Sequence, residues 1–225
     1  MAVAVRPVSH GRDAAPLRFP ASRWLVAAGL ILLALVLALG LRLQSVKGPV
    51  RVDVAATAEI SQHGSTSGRV AHLASRSAIK LGDEIPVIIV VSLLALWAAV
   101  RRDVRSVIVA VLGPAAAIGL TEYVLKPLID RQTTGGALSY PSGHVTAVVA
   151  VATAALLLVY RFEGARIALL WSPVALGAAG AVAFAVVLLR WHYITDSIAG
   201  IGLGLGVVLL TAGIVDATRS VPARI

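Results

Sequence analysis

WLVAAGLILLALVLALGLRL, Trp24–Leu43, holds no charged side chain before Arg42 and is long enough to carry one helix across the hydrocarbon core of a bilayer, about 30 Å thick. Five further apolar runs follow: Ile85–Val100, Val107–Leu125, His144–Tyr160, Ile167–Leu189 and Ile194–Val215. Hydrocarbon offers backbone N–H and C=O groups no partner, so a spanning segment must satisfy them internally. None of these runs shows the alternation of a membrane β-barrel strand. The expected fold is therefore all-α, a polytopic membrane protein with six transmembrane helices.

Composition points the same way. The chain is 58% hydrophobic and 14% charged, more apolar surface than one water-soluble core of this size requires. Its net charge of +9 would suggest a nucleic-acid partner in a soluble domain. Here the cations sit in short clusters between apolar runs, the positive-inside pattern, and no nucleic acid is implied. There are no cysteines, which excludes disulfides, thiolate catalysis and a Cys-ligated zinc site.

Arg6, Arg12, Arg18 and Arg23 precede the first run, whose length favours a retained helix over a cleaved leader. With residues 1–23 as a cytoplasmic tail, the inner loops carry Arg101, Arg102, Arg105, Arg161, Arg166, Arg219 and Arg224, and both termini are cytoplasmic. Residues 44–84 form an extracytoplasmic segment of balanced charge. Its Gly64–Gly68 patch is expected to divide two short helical stretches. No repeat or second domain is apparent, so residues 1–225 read as one membrane domain.

Three polar segments interrupt the apolar pattern: KPLIDR (Lys126–Arg131), YPSGH (Tyr140–His144) and RWHYITD (Arg190–Asp196). The charge-derived topology places all three on one membrane face, in a stretch spanning residues 126–196. Ionic groups cost about 2.5 to 3.5 kcal/mol at mid-bilayer, so these belong at the interface or in a wet cavity. Lys126, Arg131 and Arg190 offer positive charge and forked donors suited to phosphoryl oxygens. Ser142 and Gly143 stand where a helix begins, where free amides and the helix dipole favour an anion. His192 and Asp196 are four apart and share a helical face, so the carboxylate can hold one imidazole nitrogen. Glu122 precedes Lys126 by four, a favourable ion-pair spacing. Trp191 and Tyr193 read as interfacial aromatics, and His10, His63 and His72 as polar loop residues.

PSGH followed by HYITD and preceded by a Lys-to-Arg segment resembles the three-part signature of the type-2 phosphatidic acid phosphatase (PAP2) superfamily. The resemblance covers Lys126–Asp196 and extends to the six-helix layout. It implies a bacterial plasma-membrane lipid phosphatase with an extracytoplasmic site. Its implied roles are phosphate binding by Lys126, Arg131, Ser142 and Gly143, a nucleophile at His192 partnered by Asp196, and an acid at His144. No cofactor or metal is implied, and the substrate would be a lipid phosphate or diphosphate met at the bilayer. Candidates are a polyprenyl diphosphate, a phosphorylated prenyl sugar, phosphatidic acid or phosphatidylglycerophosphate.

Two departures stand out. The usual first part separates Lys and Arg by six residues before a Pro, whereas four lie between Lys126 and Arg131, and Gln132 follows. The usual third part has Arg six residues before the nucleophile, where this chain has Val186; Arg190, one turn on, is the expected replacement. Three alternatives remain at this point. One is phosphotransfer to a second hydroxyl through a phosphohistidine at His192, and another is a lipid-phosphate binder or transporter without turnover. The third is a metal site of His144, His192 and Asp196, which the neighbouring cations oppose.

Overall fold

The computed structural model describes residues 22–218, without the side chains of 61 and 63–69. Residues 1–21 of the expected tail, together with Arg219 and Arg224, lie outside the described residues, while Ser22 and Arg23 already belong to the first helix. Among the described residues the fold is helical throughout, with eight α-helices: α1 Ser22–Arg42, α2 Arg51–Ile79, α3 Glu84–Val100, α4 Val104–Gly119, α5 Lys126–Ile129, α6 Gly143–Glu163, α7 Ala165–Leu188 and α8 Ile194–Ala217.

Every apolar run of the sequence lies in a helix, because bilayer thickness sets both the run and the element. Among the described residues five spans are long and apolar enough to cross a membrane: α1, Val104–Ile129, α6, α7 and α8. A sixth arises when Val70–Gly82 and α3, bent by 51° at their junction, are taken together. Large apolar side chains such as Leu35, Ile88, Leu93, Leu169 and Val174 stay exposed on the periphery, as a lipid-facing surface requires. The chain is an integral membrane protein.

The centre of the bundle is α8, packed on α1, α4 and α6. Lipid tails are as apolar as leucine, so close van der Waals approach has to hold such helices together. Gly204 permits it: a Cβ there would lie 2.8 Å from the Thr146 carbonyl oxygen of α6. On another face of α8, a Cβ on Gly29 of α1 would meet the Gly206 carbonyl oxygen at 2.7 Å. Near the far end Gly213 adjoins Ser22, so the start of α1 and the end of α8 share one end of the bundle. The starts of α6 and α8 lie at the other.

Two local features depart from the sequence expectation. α2 runs unbroken through the Gly64–Gly68 patch, so the anticipated pair of short helices is one helix. Propensity is a weak prior that tertiary packing overrides, and α2 is anchored near both ends, by buried Asp53 at its start and buried Ser75 and Ile79 at its close, while packing along α7. Beyond Gly119 the α4 helix widens into a π turn, Leu120–Leu125, in which the Lys126 amide donates to the Thr121 carbonyl. Pro127 lies just downstream, and in a straight α-helix its ring would strike the carbonyl four residues back. The wide turn relieves that clash, and Glu122 and Lys126 both line one cavity.

Candidate active site

A cavity of about 730 Å3 opens at the end of the bundle where α6 and α8 begin. Its walls include His144, His192, Lys126, Arg190, Gly143 and Trp191. Segments far apart in sequence thus meet in one place.

His192 arrives on a reversal of the chain. At the end of α7 the Trp191 amide donates to Val186 and the Arg190 amide to Val187, and Arg190 takes φ +56°. This is the Schellman arrangement, whose left-handed position usually belongs to glycine. Here it carries an arginine whose side chain reaches the cavity wall. The next two residues, Trp191 and His192, line the same wall.

The His192 ring is held through Nδ1, which lies 2.9 Å from the Ser139 carbonyl oxygen. A carbonyl only accepts, so Nδ1 carries the proton and donates, leaving the Nε2 lone pair free. The direct bond expected from Asp196 is not formed: its Oδ2 is 3.7 Å from Nδ1. Asp196 instead accepts from the Tyr193 amide at 3.0 Å and from Arg131. The Ser139 carbonyl is a backbone group, which side-chain spacing cannot reveal.

Arg131 does not line the cavity. It is fully buried, with one amino nitrogen on Asp53 at 2.6 Å and the other shared by Asp196 at 2.5 Å and Thr195 at 2.6 Å. Its guanidinium also stacks over the Tyr193 ring, 4.7 Å from the centroid. Both amino nitrogens are thus taken by protein groups while Nε has no partner, and the side chain lies away from the cavity in which a phosphate ligand was expected from sequence. Position 133, which keeps the family's usual six-residue gap from Lys126, does line the cavity and is a threonine. Val186, at the usual third-part arginine position, is buried in the core.

Asp53 went unrecognised in the sequence. It stands 78 residues before Arg131 on a helix of unremarkable composition. One of its oxygens also accepts from the Val50 amide at 3.0 Å, capping α2. The other accepts from the Thr195 amide at 3.1 Å and hydroxyl at 2.8 Å, capping α8. A carboxylate at two helix N-termini is favoured by both dipoles.

His144 sits in the first turn of α6. Its Nε2 is 3.4 Å from Asp83 Oδ1, and its ring meets Trp191 edge-on with centroids 5.7 Å apart. The Lys80–Gly82 turn passes so close that a Cβ on Gly82 would lie 2.9 Å from His144. Asp83 and Trp191 therefore bear on His144, a contact that was not anticipated. Ser142, the residue before α6, is buried; its amide donates to the Asp196 carbonyl at 3.0 Å, joining the starts of α6 and α8. Its hydroxyl has no protein partner.

Lys126 Nζ bonds both oxygens of Glu122 at 2.7 Å, the pair expected from their spacing. The cavity wall also holds Asp83 and Glu84, so it is mixed in charge and not purely cationic. Outside the spans, Tyr140 donates to the Val36 carbonyl. Burial, and then the Asp196 charge, push its phenol pKa well above the ordinary value and keep it neutral. Among the described residues no three His, Asp or Glu side chains converge as a metal site requires.

From Leu81 and Val87 a second space of about 260 Å3 descends between α3, α6 and α7. Val148, Val151, Leu156 and Val174 line it, and it shares Val87 with the polar cavity.

A membrane-embedded helical bundle with two histidines facing one cavity at its end is the class that this fold and site define. The PAP2 superfamily model matches residues 107–220, and the chain belongs to that superfamily. Among solved structures the chain is similar to the first transmembrane PAP2-type phosphatidylglycerolphosphate phosphatase from Bacillus subtilis. The TM-score is 0.64 at 20% identity, over 88% of this chain and 99% of that one. At that identity the likeness speaks for the fold alone. No curated protein matches the chain by sequence.

Proposed function

We propose that the protein hydrolyses a lipid phosphate or diphosphate through a phosphohistidine on His192. The observation that carries this reading is the pairing of His192, with its Nδ1 proton committed to Ser139, and His144 on one cavity wall. Membership of the PAP2 superfamily supports it.

In this mechanism the His192 Nε2 lone pair attacks phosphorus, a P–N bond forms and the P–O bond to the lipid breaks. Protonated His144 gives its proton to the departing oxygen. Neutral His144 then takes a proton from water, the resulting hydroxide attacks phosphorus, and the P–N bond breaks to free orthophosphate and His192. Lys126, Arg190 and the first amides of α6 are the groups we assign to the phosphoryl oxygens. Arg131 acts at one remove, by fixing Asp196 and with it the start of α8. The apolar space below Val87 suits an acyl or prenyl tail entering from the bilayer. The named activity of the Bacillus structure makes phosphatidylglycerophosphate one candidate among the lipid phosphates. Basic residues at the opposite end, Arg101, Arg102, Arg105 and Arg166, favour an extracytoplasmic site.

The test is release of orthophosphate by purified protein from a panel of lipid phosphates, with and without chelator. Release that persists with chelator is expected. Lipid-to-lipid transfer would turn the reading to a transferase, and binding without turnover to a carrier. His192→Ala is expected to lower turnover by about four orders of magnitude or more. It should leave thermal unfolding in detergent within about 1 kcal/mol of the parent, since it removes one hydrogen bond. Substantial hydrolysis by that variant would reject the nucleophile.

A further inference from the structure

The berth that the proposed mechanism gives to the substrate's phosphoryl group already holds an anion of the chain's own. Both oxygens of Glu122 lie 2.7 Å from Lys126 Nζ. Oε1 is pressed against Gly143, the first residue of α6: a Cβ there would stand 2.5 Å from that oxygen and 3.7 Å from Lys126 Nζ. A carboxylate thus occupies the meeting point of an ammonium group and a helix N-terminus, the two features that make an anion site. His144 follows directly in the same turn, and all four residues line one cavity.

We propose that Glu122 is an internal competitor for the phosphoryl site, setting how tightly the protein holds a phosphate monoester and its orthophosphate product. The inference rests on the hydrolase reading only in naming those ligands; the competition itself is a matter of geometry. A phosphate and a carboxylate cannot share one ammonium group without like-charge repulsion, so one must leave. The pair can part. Glu122 and Lys126 keep 38% and 17% of their side-chain surface exposed, which marks a solvated pair of modest strength. Phosphate offers more acceptor oxygens and more charge to the same groups, so it displaces the carboxylate. After P–N cleavage, Glu122 returns to Lys126 and favours release of the product. Because positions 133 and 186 carry no cation, few charges hold the product, and one nearby carboxylate has a correspondingly large influence on its affinity.

The rival account makes Glu122 a mere support that aims Lys126, and the two accounts predict opposite signs. The experiment measures binding of orthophosphate and orthovanadate to the full chain in detergent, by thermal shift and by inhibition of hydrolysis, for the parent, Glu122→Gln, Glu122→Ala and Lys126→Ala. Glu122→Gln and Glu122→Ala are both expected to bind each anion about two- to fivefold tighter. KM for lipid phosphate should fall, and product inhibition should deepen. Lys126→Ala is expected to weaken binding, and adding Glu122→Gln to it should restore little. Unchanged or weaker anion binding in the Glu122 variants overturns the proposal, even if the parent hydrolyses lipid phosphates normally. Tighter binding with no turnover by the parent sinks the hydrolase reading and sustains Glu122 as the competitor.

Discussion

Among the described residues two arginines are buried at opposite ends of the bundle, each between aspartates, and one of them stands at the cavity end. Arg131, at the cavity end, binds Asp53 of α2 and Asp196 of α8. At the other end Arg161, in the last turn of α6, bonds Asp103 before α4 at 2.5 Å and lies 3.9 Å from Asp216 of α8. Both clusters tie helix ends that hydrophobic packing alone would leave free to slide, which is useful where lipid provides no hydrophobic drive between helices. Their difference lies in what they touch. Asp196 and Tyr193 join the first cluster to the start of α8 beside His192, whereas the second lies at the opposite end of the bundle, away from the cavity. Buried charge is therefore a structural device in both places, and the two clusters differ in how close they stand to the proposed chemistry.

The sharpest way to break this comparison is to remove each arginine in turn. Arg131→Ala leaves two aspartates buried without their cation, a loss of about 3–5 kcal/mol, and Arg161→Ala should cost a similar amount. Their activities should diverge. Per folded molecule, Arg131→Ala is expected to lose at least about a hundredfold in kcat, because misplacing a reacting group by an ångström has that effect. Arg161→Ala should keep most of its kcat. Unfolding in detergent paired with phosphate release measures both, and equal kinetic losses would dissolve the distinction. Asp53→Asn is a milder version at the cavity end. Its amide oxygen can still accept from Thr195, but one of the two charges facing Arg131 is gone, so kcat should fall by about tenfold with KM little changed.

Acid sharpens the contrast from the other end. Burial works to raise the Asp103 pKa, but bonds from Arg161 and Ser106 outweigh it, and the carboxyl is held below its usual range. A depressed folded pKa contributes stability that is complete above the unfolded value, about 3.9 for aspartate, and is lost as pH falls through the folded value. Detergent-solubilised protein should therefore lose stability as pH drops below about 4. Asp103→Asn should start less stable and show a flatter decline. An unchanged acid slope in that variant would remove Asp103 from the account.

Helix positions were legible because a bilayer imposes length and polarity on each span, and α1, α3, α4, α6, α7 and α8 follow their apolar runs. His144 and His192 stood out too, since each interrupts an apolar pattern, one in the first turn of α6 and the other just before α8. Asp53 was not: a single acidic residue on a helix of mixed composition has no periodic signal, and its partners come from the far end of the chain. The Ser139 carbonyl was hidden because every residue has one. Arg131 was legible as a cation, but its burial among Asp53, Asp196 and Thr195 was not, since sequence does not show which carboxylates surround a cation. The Gly64–Gly68 patch misled because propensity was read without the anchoring of α2 at Asp53, Ser75 and Ile79.

The smallest expected effect is also the most discriminating, because its two parts have opposite signs. Arg190 holds a left-handed conformation at φ +56°, at the position of the α7 Schellman turn where glycine is at ease. A side chain there costs about 1 kcal/mol, and residues kept in such conformations gather at functional sites. Arg190→Gly should therefore raise the unfolding temperature slightly while lowering kcat/KM by about tenfold through loss of one charge-assisted contact to phosphate. Arg190→Lys should keep the strain and restore part of the activity, as a point charge without the fork. If Arg190→Gly gains stability and retains full kcat/KM, the arginine is only an interfacial anchor, and the cavity depends on Lys126 and the start of α6 alone for its hold on phosphate.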